Sequence, residues 1–414
     1  MLDPEFIREN PGKIKEGAKS KGFDEGIVDS FLELDKEWRE ALLGLEETRA
    51  SKNKLGKGDK DEAKKLKGKE KELSDAVKEL EEKRVNALLK IPSLPADDVP
   101  PGKGEEDNVV LREVGDKPEF GFEPKDHVEL ATNLDIIDFE AGSKVAGSGF
   151  YYLKGDGVLL ELALVKYALD FLSERGFTPW ITPDLAREKF YLGTGYAPRG
   201  EEAQTYVVED NDLGLIATAE VTLAGIHSDE TLDEADLPKL YSGYSHCFRQ
   251  EAGAYGKYSK GLYRVHQFTK VEMFVYSRPE ESNKIHDDLL KIEEELWQSL
   301  GIPYRVVEMC TGDLGAMASR KFDLDAWMPG RGDWGEVTST SNTTDYQSRR
   351  LGIKFRRKDG KTEFAHTLNG TAIATSRAII AILENNQTKD GRIRLPKVLQ
   401  DYAKKEEIGK PSKS

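Results

Sequence analysis

Four short stretches between positions 248 and 377 combine arginine with carboxylate, amide and hydroxyl side chains. The first is Phe248, Arg249, Gln250, Glu251, followed by a loop rich in glycine and tyrosine, Ala252 to Gly261. The second runs Arg264, Val265, His266, Gln267, Phe268, with Lys270 and Glu272 behind it. The third holds Glu336 and Ser339 inside Trp334 to Asn342, and the fourth is Asn369, Gly370, Thr371, with Arg377 opening a helix six residues later. An arginine fork binds two oxygens of a carboxylate or phosphate at once. Carboxylate and hydroxyl oxygens suit a hard cation. Taken singly, each stretch also has a purely structural reading. Arg249 and Glu251, two apart on a strand, share a face and form an ion pair. His266 is a buried, hydrogen-bonded imidazole, Glu272 a solvated strand residue, Ser339 a polar loop residue and Arg377 a surface residue of its helix.

The elements that must carry these side chains alternate irregularly. Strand candidates rich in β-branched and aromatic residues include Leu213 to Ala217, Phe268 to Tyr276 and Tyr304 to Glu308. Amphipathic helices are predicted over Leu159 to Arg175, Asn283 to Leu300 and Arg377 to Asn385. Regular βαβ units are missing, and no glycine-rich phosphate loop of the Walker or dinucleotide type occurs. The fold class expected is α+β with an antiparallel sheet rather than a doubly wound one.

The first hundred residues differ. Large apolar residues at Ile27, Phe31, Leu34, Trp38, Ala41 and Leu45 define a heptad seam, and a second follows at Leu66, Leu73, Val77 and Leu80, with Ala87 one heptad on. Gly56, Lys57, Gly58 and Asp59 between them form a chain-reversing cluster. The pattern predicts an antiparallel coiled-coil hairpin whose arms are each on the order of 40 Å long. Pro92, Pro95, Pro100 and Pro101 end it and mark a linker. The chain is thus divided into a hairpin domain, 1–104, and a compact domain, 105–414.

Charge is unevenly spread. The net charge is -15 over 414 residues, with 33% charged and 38% hydrophobic residues. Residues 1–104 carry 22 Lys and Arg against 24 Asp and Glu, a net of -2, so -13 belongs to the remainder. Arg49 to Lys71 nevertheless holds ten basic and four acidic residues, a local +6. A positive tip on an acidic protein is what contact with a phosphate backbone requires. Val158 to Leu172 is broken by Glu161, Lys166 and Asp170, too polar for a membrane span. Asp3, Glu5 and Glu9 occupy the place of a signal peptide's basic region. Cys247 and Cys310 are the two cysteines, too few for a disulfide framework or an all-cysteine zinc site, so a reducing cytoplasm is expected and zinc is not.

Together the four stretches resemble the class II aminoacyl-tRNA synthetases, and specifically the seryl-tRNA synthetase family of the ordinary bacterial and archaeal type. Phe248 to Glu251 looks like motif 2 of that class, Asn369 to Arg377 like motif 3, and Pro183 like the motif 1 proline, which in the family belongs to the dimer interface. Thr218, Ala219, Glu220 is similar to the family's T-A-E loop, and the hairpin stands where the family keeps its tRNA-binding arm.

The resemblance implies the roles. Arg249 and Arg377 are the catalytic residues, Arg249 bridging the serine carboxylate and the α-phosphate, Arg377 holding the γ-phosphate of a bent ATP and covering one adenine face. ATP binding extends to Gln250, Glu251, Val265, Phe268, Glu336, Val337, Thr338 and Ser339, with Phe268 stacking on the other adenine face. Glu336 and Ser339 hold Mg²⁺ with the ATP. Serine falls to Thr218, Ala219, Glu220, Arg249, Glu272, Asn369 and Thr371, with Glu272 and Thr371 at its hydroxyl and Thr218 and Glu220 on the amino side. The tRNA contacts are Arg49, Lys52, Lys54, Lys57, Lys60, Lys64 and Lys65. Implied partners are ATP, L-serine, tRNA(Ser) and a second copy of the chain, with charging of tRNA(Sec) left open. Two other readings compete: a synthetase-like ligase that charges a carrier protein, and a non-catalytic coiled-coil scaffold.

Overall fold

The computed structural model of the chain describes residues 1–55, 60–196, 205–251 and 260–409. The expected turn at Gly56 to Asp59, with Lys57, lies outside the described residues. So do residues 252–259 of the loop behind Glu251, and residues 410–414. The chain divides into two compact units, Met1–Pro95 and Ala96–Ser414.

The first unit is helical: α1 (Pro4–Glu9), α2 (Pro11–Ser20), α3 (Gly26–Asn53) and α4 (Lys60–Leu89). Both short helices open on proline, where the missing N–H costs nothing, and Asp3 caps α1 by accepting from the Glu5 amide at 2.8 Å. The long helices have 28 and 30 residues and therefore run roughly 42–45 Å each. They are the two arms of the predicted hairpin. Phe31 and Leu45 are buried, whereas Leu66, Leu73, Val77 and Leu80 are only half-buried, as befits a seam with no third layer. Ile7, Ile14, Val28, Phe31, Leu88 and Ile91 form a small core at the root. Asp35, which no apolar heptad announces, is fully buried there. Arg8, Arg39 and Arg84 hold its carboxylate at 3.2, 3.0 and 2.8 Å.

The second unit is built on an eight-stranded sheet among the described residues. In chain order its strands are β1 (Val109–Val114), β2 (Thr178–Ile181), β3 (Lys239–Phe248), β4 (Gln267–Ser277), β5 (Tyr304–Glu308), β6 (Arg320–Met328), β7 (Asp333–Thr344) and β8 (His366–Ala374). Their spatial order is β1-β5-β6-β7-β8-β4-β3-β2. Every pair is antiparallel except β2 with β3 at the edge. Helices α5 (Asp156–Ser173), α6 (Ser282–Ser299) and α7 (Thr375–Asn385) stand within three residues of their predicted boundaries. The predicted strand at Leu213 to Ala217 shortens to Leu213–Leu215 and pairs with Leu185–Arg187, outside the main sheet.

Alternation along β4 explains how the sheet has two functional faces. Val271, Met273 and Val275 enter the main core with Leu289, Leu296 and Trp297 of α6, so Lys270 and Glu272 must point to the opposite face. On β8, Gly370 lies between Asn369 and Thr371. A Cβ there would come 2.8 Å from Glu293 Oε1 of α6, so glycine lets the helix approach the sheet directly beneath two polar side chains.

Candidate active site

The face opposite the helices holds a cavity of about 340 Å³. Register places its polar residues side by side, Glu272 opposite Thr371 and Ser341 opposite Asn369, while Ser339 and Glu336 stand opposite Asp323 and Asp325 of β6. All four predicted stretches reach it. Arg249, Glu251, Val265, Phe268, Glu272, Glu336, Val337, Thr338, Ser339, Asn369, Thr371 and Arg377 line the cavity, with Glu220 from the T-A-E segment.

One end is cationic. Arg377, at the start of α7, binds Glu336 twice: its Nη1 donates to the Glu336 carbonyl at 2.9 Å and meets Oε1 at 3.0 Å. Burial works against the Glu336 carboxylate, yet Arg377, Lys321 and Arg249 together hold it below the usual carboxylate range. The Arg377 guanidinium also lies 5.0 Å from the Tyr263 ring, and that of Arg249 lies 5.3 Å from Phe268. Asp323 is pushed up to about 7 by burial, an effect that Lys321 opposes and Glu336 reinforces.

The other end is a pair of buried carboxylates. Glu220 is 2% exposed and accepts from Gln347 Nε2 at 2.6 Å, Asn369 Nδ2 at 2.9 Å and Tyr196 OH at 3.1 Å. Burial and the charge of Glu272 raise it to about 7. Glu272 is 1% exposed, so the solvated-strand reading fails; it forms an ion pair with Lys270 and faces Thr371.

Three details differ from the residue-by-residue expectations. The Arg249–Glu251 pair does not form: β3 stops at Phe248, Glu251 has φ +50, and its carboxylate pairs with Arg264 at 2.9 Å. Gln250 donates to the Thr205 carbonyl at 2.9 Å and does not line the cavity. Thr218 and Ala219 lie fully buried behind Glu220, with Thr218 Oγ1 accepting from the Glu220 amide at 3.3 Å. The half-buried His266 keeps its structural reading, its Nδ1 being 2.9 Å from both the Arg249 carbonyl and the Tyr206 hydroxyl.

The geometry therefore joins an arginine-rich, oxyanion-binding end to an acidic end suited to a small cationic, hydroxylated group. Residues 206–386 match the tRNA synthetase class II core domain (G, H, P, S and T), and residues 1–95 match the seryl-tRNA synthetase N-terminal domain. The chain is 52% identical over 421 residues to a serine–tRNA ligase of Rubrobacter xylanophilus, covering 99% of both proteins. The chain belongs to the seryl-tRNA synthetase family. This synthetase is equally similar to a serine–tRNA ligase of Dictyoglomus thermophilum, at 53% identity over 426 residues and 100% of both chains. The solved seryl-tRNA synthetase of Pyrococcus horikoshii, complexed with ATP, superposes with a TM-score of 0.93 at 46% identity, covering 100% of both chains. The activity is that of an aminoacyl-tRNA synthetase ligating serine to tRNA.

Several lining residues of this synthetase escaped the motif-based expectations: Tyr196, Tyr263, Lys321 and Ser341. A signal for one of them, Lys321, exists. Lys321, Asp323 and Asp325 alternate with Phe322, Leu324 and Ala326, which are buried in the core, so the polar set of β6 had to share the other face. On the arm, Lys54, Lys60, Lys64 and Lys65 are exposed, while Arg49 and Lys52 both meet Glu70, at 3.4 and 2.6 Å. No helix among the described residues is long and apolar enough to cross a membrane.

Proposed function

We propose that the 340 Å³ cavity holds ATP and L-serine end to end and joins them as seryl-adenylate, releasing pyrophosphate, before serine passes to the 3′ end of tRNA(Ser). The observation that carries this is the place of Arg249. Its charge acts on Glu336 at the cationic end and on Tyr196, the partner of Glu220, at the acidic end. A fork so placed grips a carboxylate oxygen and an α-phosphate oxygen together and stabilises the charge that builds up during in-line attack. Arg377 takes the γ-phosphate, with Phe268 and Arg377 enclosing the adenine and Glu251, Val265, Val337 and Thr338 lining its surroundings. Glu272 and Thr371 bind the serine hydroxyl, and Glu220, backed by Thr218, Ala219 and Asn369, binds its ammonium. A site whose buried polar groups lose a hydrogen-bond partner when the hydroxyl is missing rejects alanine by roughly 10⁴.

The carboxylate of Glu336 and the hydroxyl of Ser339 are hard oxygen donors on one strand, a donor set that fits Mg²⁺ completed by phosphate oxygens. When bound, that ion neutralises phosphate charge. We assign tRNA binding to 1–104, through Arg49, Lys52, Lys54, Lys57, Lys60, Lys64 and Lys65, and catalysis to 105–414. We also assign a homodimer. Ile181, two residues before the motif 1 proline, is 80% exposed, and Val145 is 69% and Leu162 56% exposed, apolar surface of the kind that a second copy covers. Both cysteines are free, in keeping with work in the cytoplasm.

Serine-dependent exchange of labelled pyrophosphate into ATP tests the reading. Serine should support exchange and alanine, threonine and glycine should not; absence of exchange with every amino acid would overturn it.

A further inference from the structure

A chain of buried hydrogen bonds runs away from Glu220 and leaves the cavity altogether. Gln347, fully buried on the short helix Tyr346–Leu351, does not line the cavity. Its Nε2 donates to Glu220 Oε1 at 2.6 Å and to the Thr194 carbonyl at 3.1 Å. Its Oε1 accepts from Thr367 Oγ1 at 2.8 Å, and Thr343 Oγ1 stands 2.6 Å from that same hydroxyl. The amide thus spends both N–H groups and its acceptor, which fixes which way it faces.

Three neutral donors meet Glu220. Gln347 and Asn369 both occupy Oε1, while Oε2 takes the hydroxyl of Tyr196. Lone-pair capacity on Oε2 is uncommitted among the described residues. The charged and titratable groups acting on Glu220 are Glu272 and Lys270 of β4 and Tyr196, on which Arg249 also acts; among the described residues, no cation pairs with Glu220 directly. Donors stabilise the ionised form of a carboxyl group, and burial beside another carboxylate opposes it. A buried carboxylate kept ionised by neutral donors retains its demand for a cation, and a substrate ammonium supplies one.

We propose that Gln347 is a positioning residue for the ammonium group of serine: with its amide orientation locked by Thr367 and Thr343, it holds Glu220 ionised and turned so that Oε2 meets that ammonium. This rests on the reading of Glu220 as the amino-group residue. The role suits glutamine specifically. Glutamate would add a third carboxylate beside Glu220 and Glu272, and methionine would keep the length but lose the donor.

The experiment measures binding of two non-hydrolysable adenylate analogues to the full-length protein: seryl-sulfamoyl-adenosine and its counterpart lacking the amino group, with ATP as a third ligand. Gln347→Met should weaken the seryl analogue by about tenfold to a hundredfold, the loss expected of a hydrogen bond to a charged group. The des-amino analogue and ATP should bind within about twofold of the unaltered protein. The seryl analogue's affinity should fall as the pH drops through about 7 in the unaltered protein and should start to fall at a higher pH in the variant, because Glu220 gains its proton more easily. Thr367→Val, which keeps Gln347 but frees its amide, should show the same pattern with a smaller loss. Equal weakening of all three ligands, or of none, would overturn the role of Gln347. If the unaltered protein failed to distinguish the two analogues, the amino-group reading of Glu220 itself would fall, and the proposal with it.

Discussion

Lys270 and Glu272 stand two residues apart on β4 and form an ion pair that is almost wholly buried, with side chains 7% and 1% exposed. Thr371, opposite Glu272 across the sheet, lies against both: Lys270 Nζ is 3.4 Å and Glu272 Oε2 3.5 Å from its hydroxyl. The two contacts are long for hydrogen bonds. They leave Thr371 and Glu272 free to tighten on a substrate hydroxyl, and the lysine keeps the carboxylate compensated until it arrives.

Removing the partners separately should therefore have different results. Glu272→Ala should lower kcat/KM for serine by about 10²–10³ while changing that for alanine little, because only serine offers the hydroxyl. Lys270→Met leaves a buried carboxylate without its cation and should cost about 3–5 kcal/mol of stability in urea unfolding. Adding Glu272→Gln to Lys270→Met should restore part of that loss. A double variant no more stable than Lys270→Met would contradict the pairing.

At the phosphate end the prediction concerns ATP. Arg249→Ala should reduce serine-dependent pyrophosphate exchange by about 10²–10³ or more without unfolding the protein, since it removes charge stabilisation at the reacting centre. Arg377→Ala should act chiefly on the KM for ATP. Near-normal exchange by Arg249→Ala would show that another cation, Lys321 or Arg264, performs the role.

Much of this site was legible because its residues are held in short linear runs on strands and strand ends. Phe248 to Glu251 and Asn369 to Thr371 carry two lining residues each, and the seam of the hairpin follows from a simple heptad. What the sequence hid depends on long-range packing. Gln347 meets Glu220 across 127 positions, and Arg84 meets Asp35 across 49. Nothing local marks either contact. The expected pairing of Arg249 with Glu251 failed for a different reason: it assumed a continuing strand, whereas Glu251 takes a left-handed backbone. Lys321 was within reach, since alternation in β6 separates it and Asp323 from Phe322 and Leu324.

For the arm, reversing Lys60, Lys64 and Lys65 to glutamate should raise the KM for tRNA while leaving pyrophosphate exchange unchanged. All three are exposed and remote in sequence from the cavity residues. If they meet phosphates, the salt dependence of tRNA binding should flatten by roughly one unit of slope per lost contact. An unchanged slope would mean that the tip charges serve only the solubility of the hairpin.

The root of the arm should be sensitive at Asp35. Its carboxylate ties α1, α3 and α4 through Arg8, Arg39 and Arg84, and removing it leaves three cationic side chains around a buried void. Asp35→Ala should destabilise the first unit by about 3–5 kcal/mol. Thermal unfolding should then show an early transition that leaves serine-dependent exchange intact. A single unshifted transition would contradict a structural role for this cluster.

Glu293 of α6 gives the sharpest pH prediction. It is fully buried, accepts from Thr338 Oγ1 at 2.9 Å, and burial, with Glu272 and Asp323 nearby, pushes its carboxyl well above the ordinary range. An unfolded glutamate loses its proton near pH 4.3, whereas the folded one keeps it. The folded state therefore binds the extra proton, and the stability associated with Glu293 is full below about pH 4 and declines as pH rises toward the folded value. Glu293→Gln retains the acceptor for Thr338 but has no proton to lose. Its urea-unfolding midpoint should move above that of the unaltered protein as pH rises from 5 to 9, by an increasing margin. Parallel midpoints across that range would mean that Glu293 ionises in the folded protein as readily as in the unfolded chain.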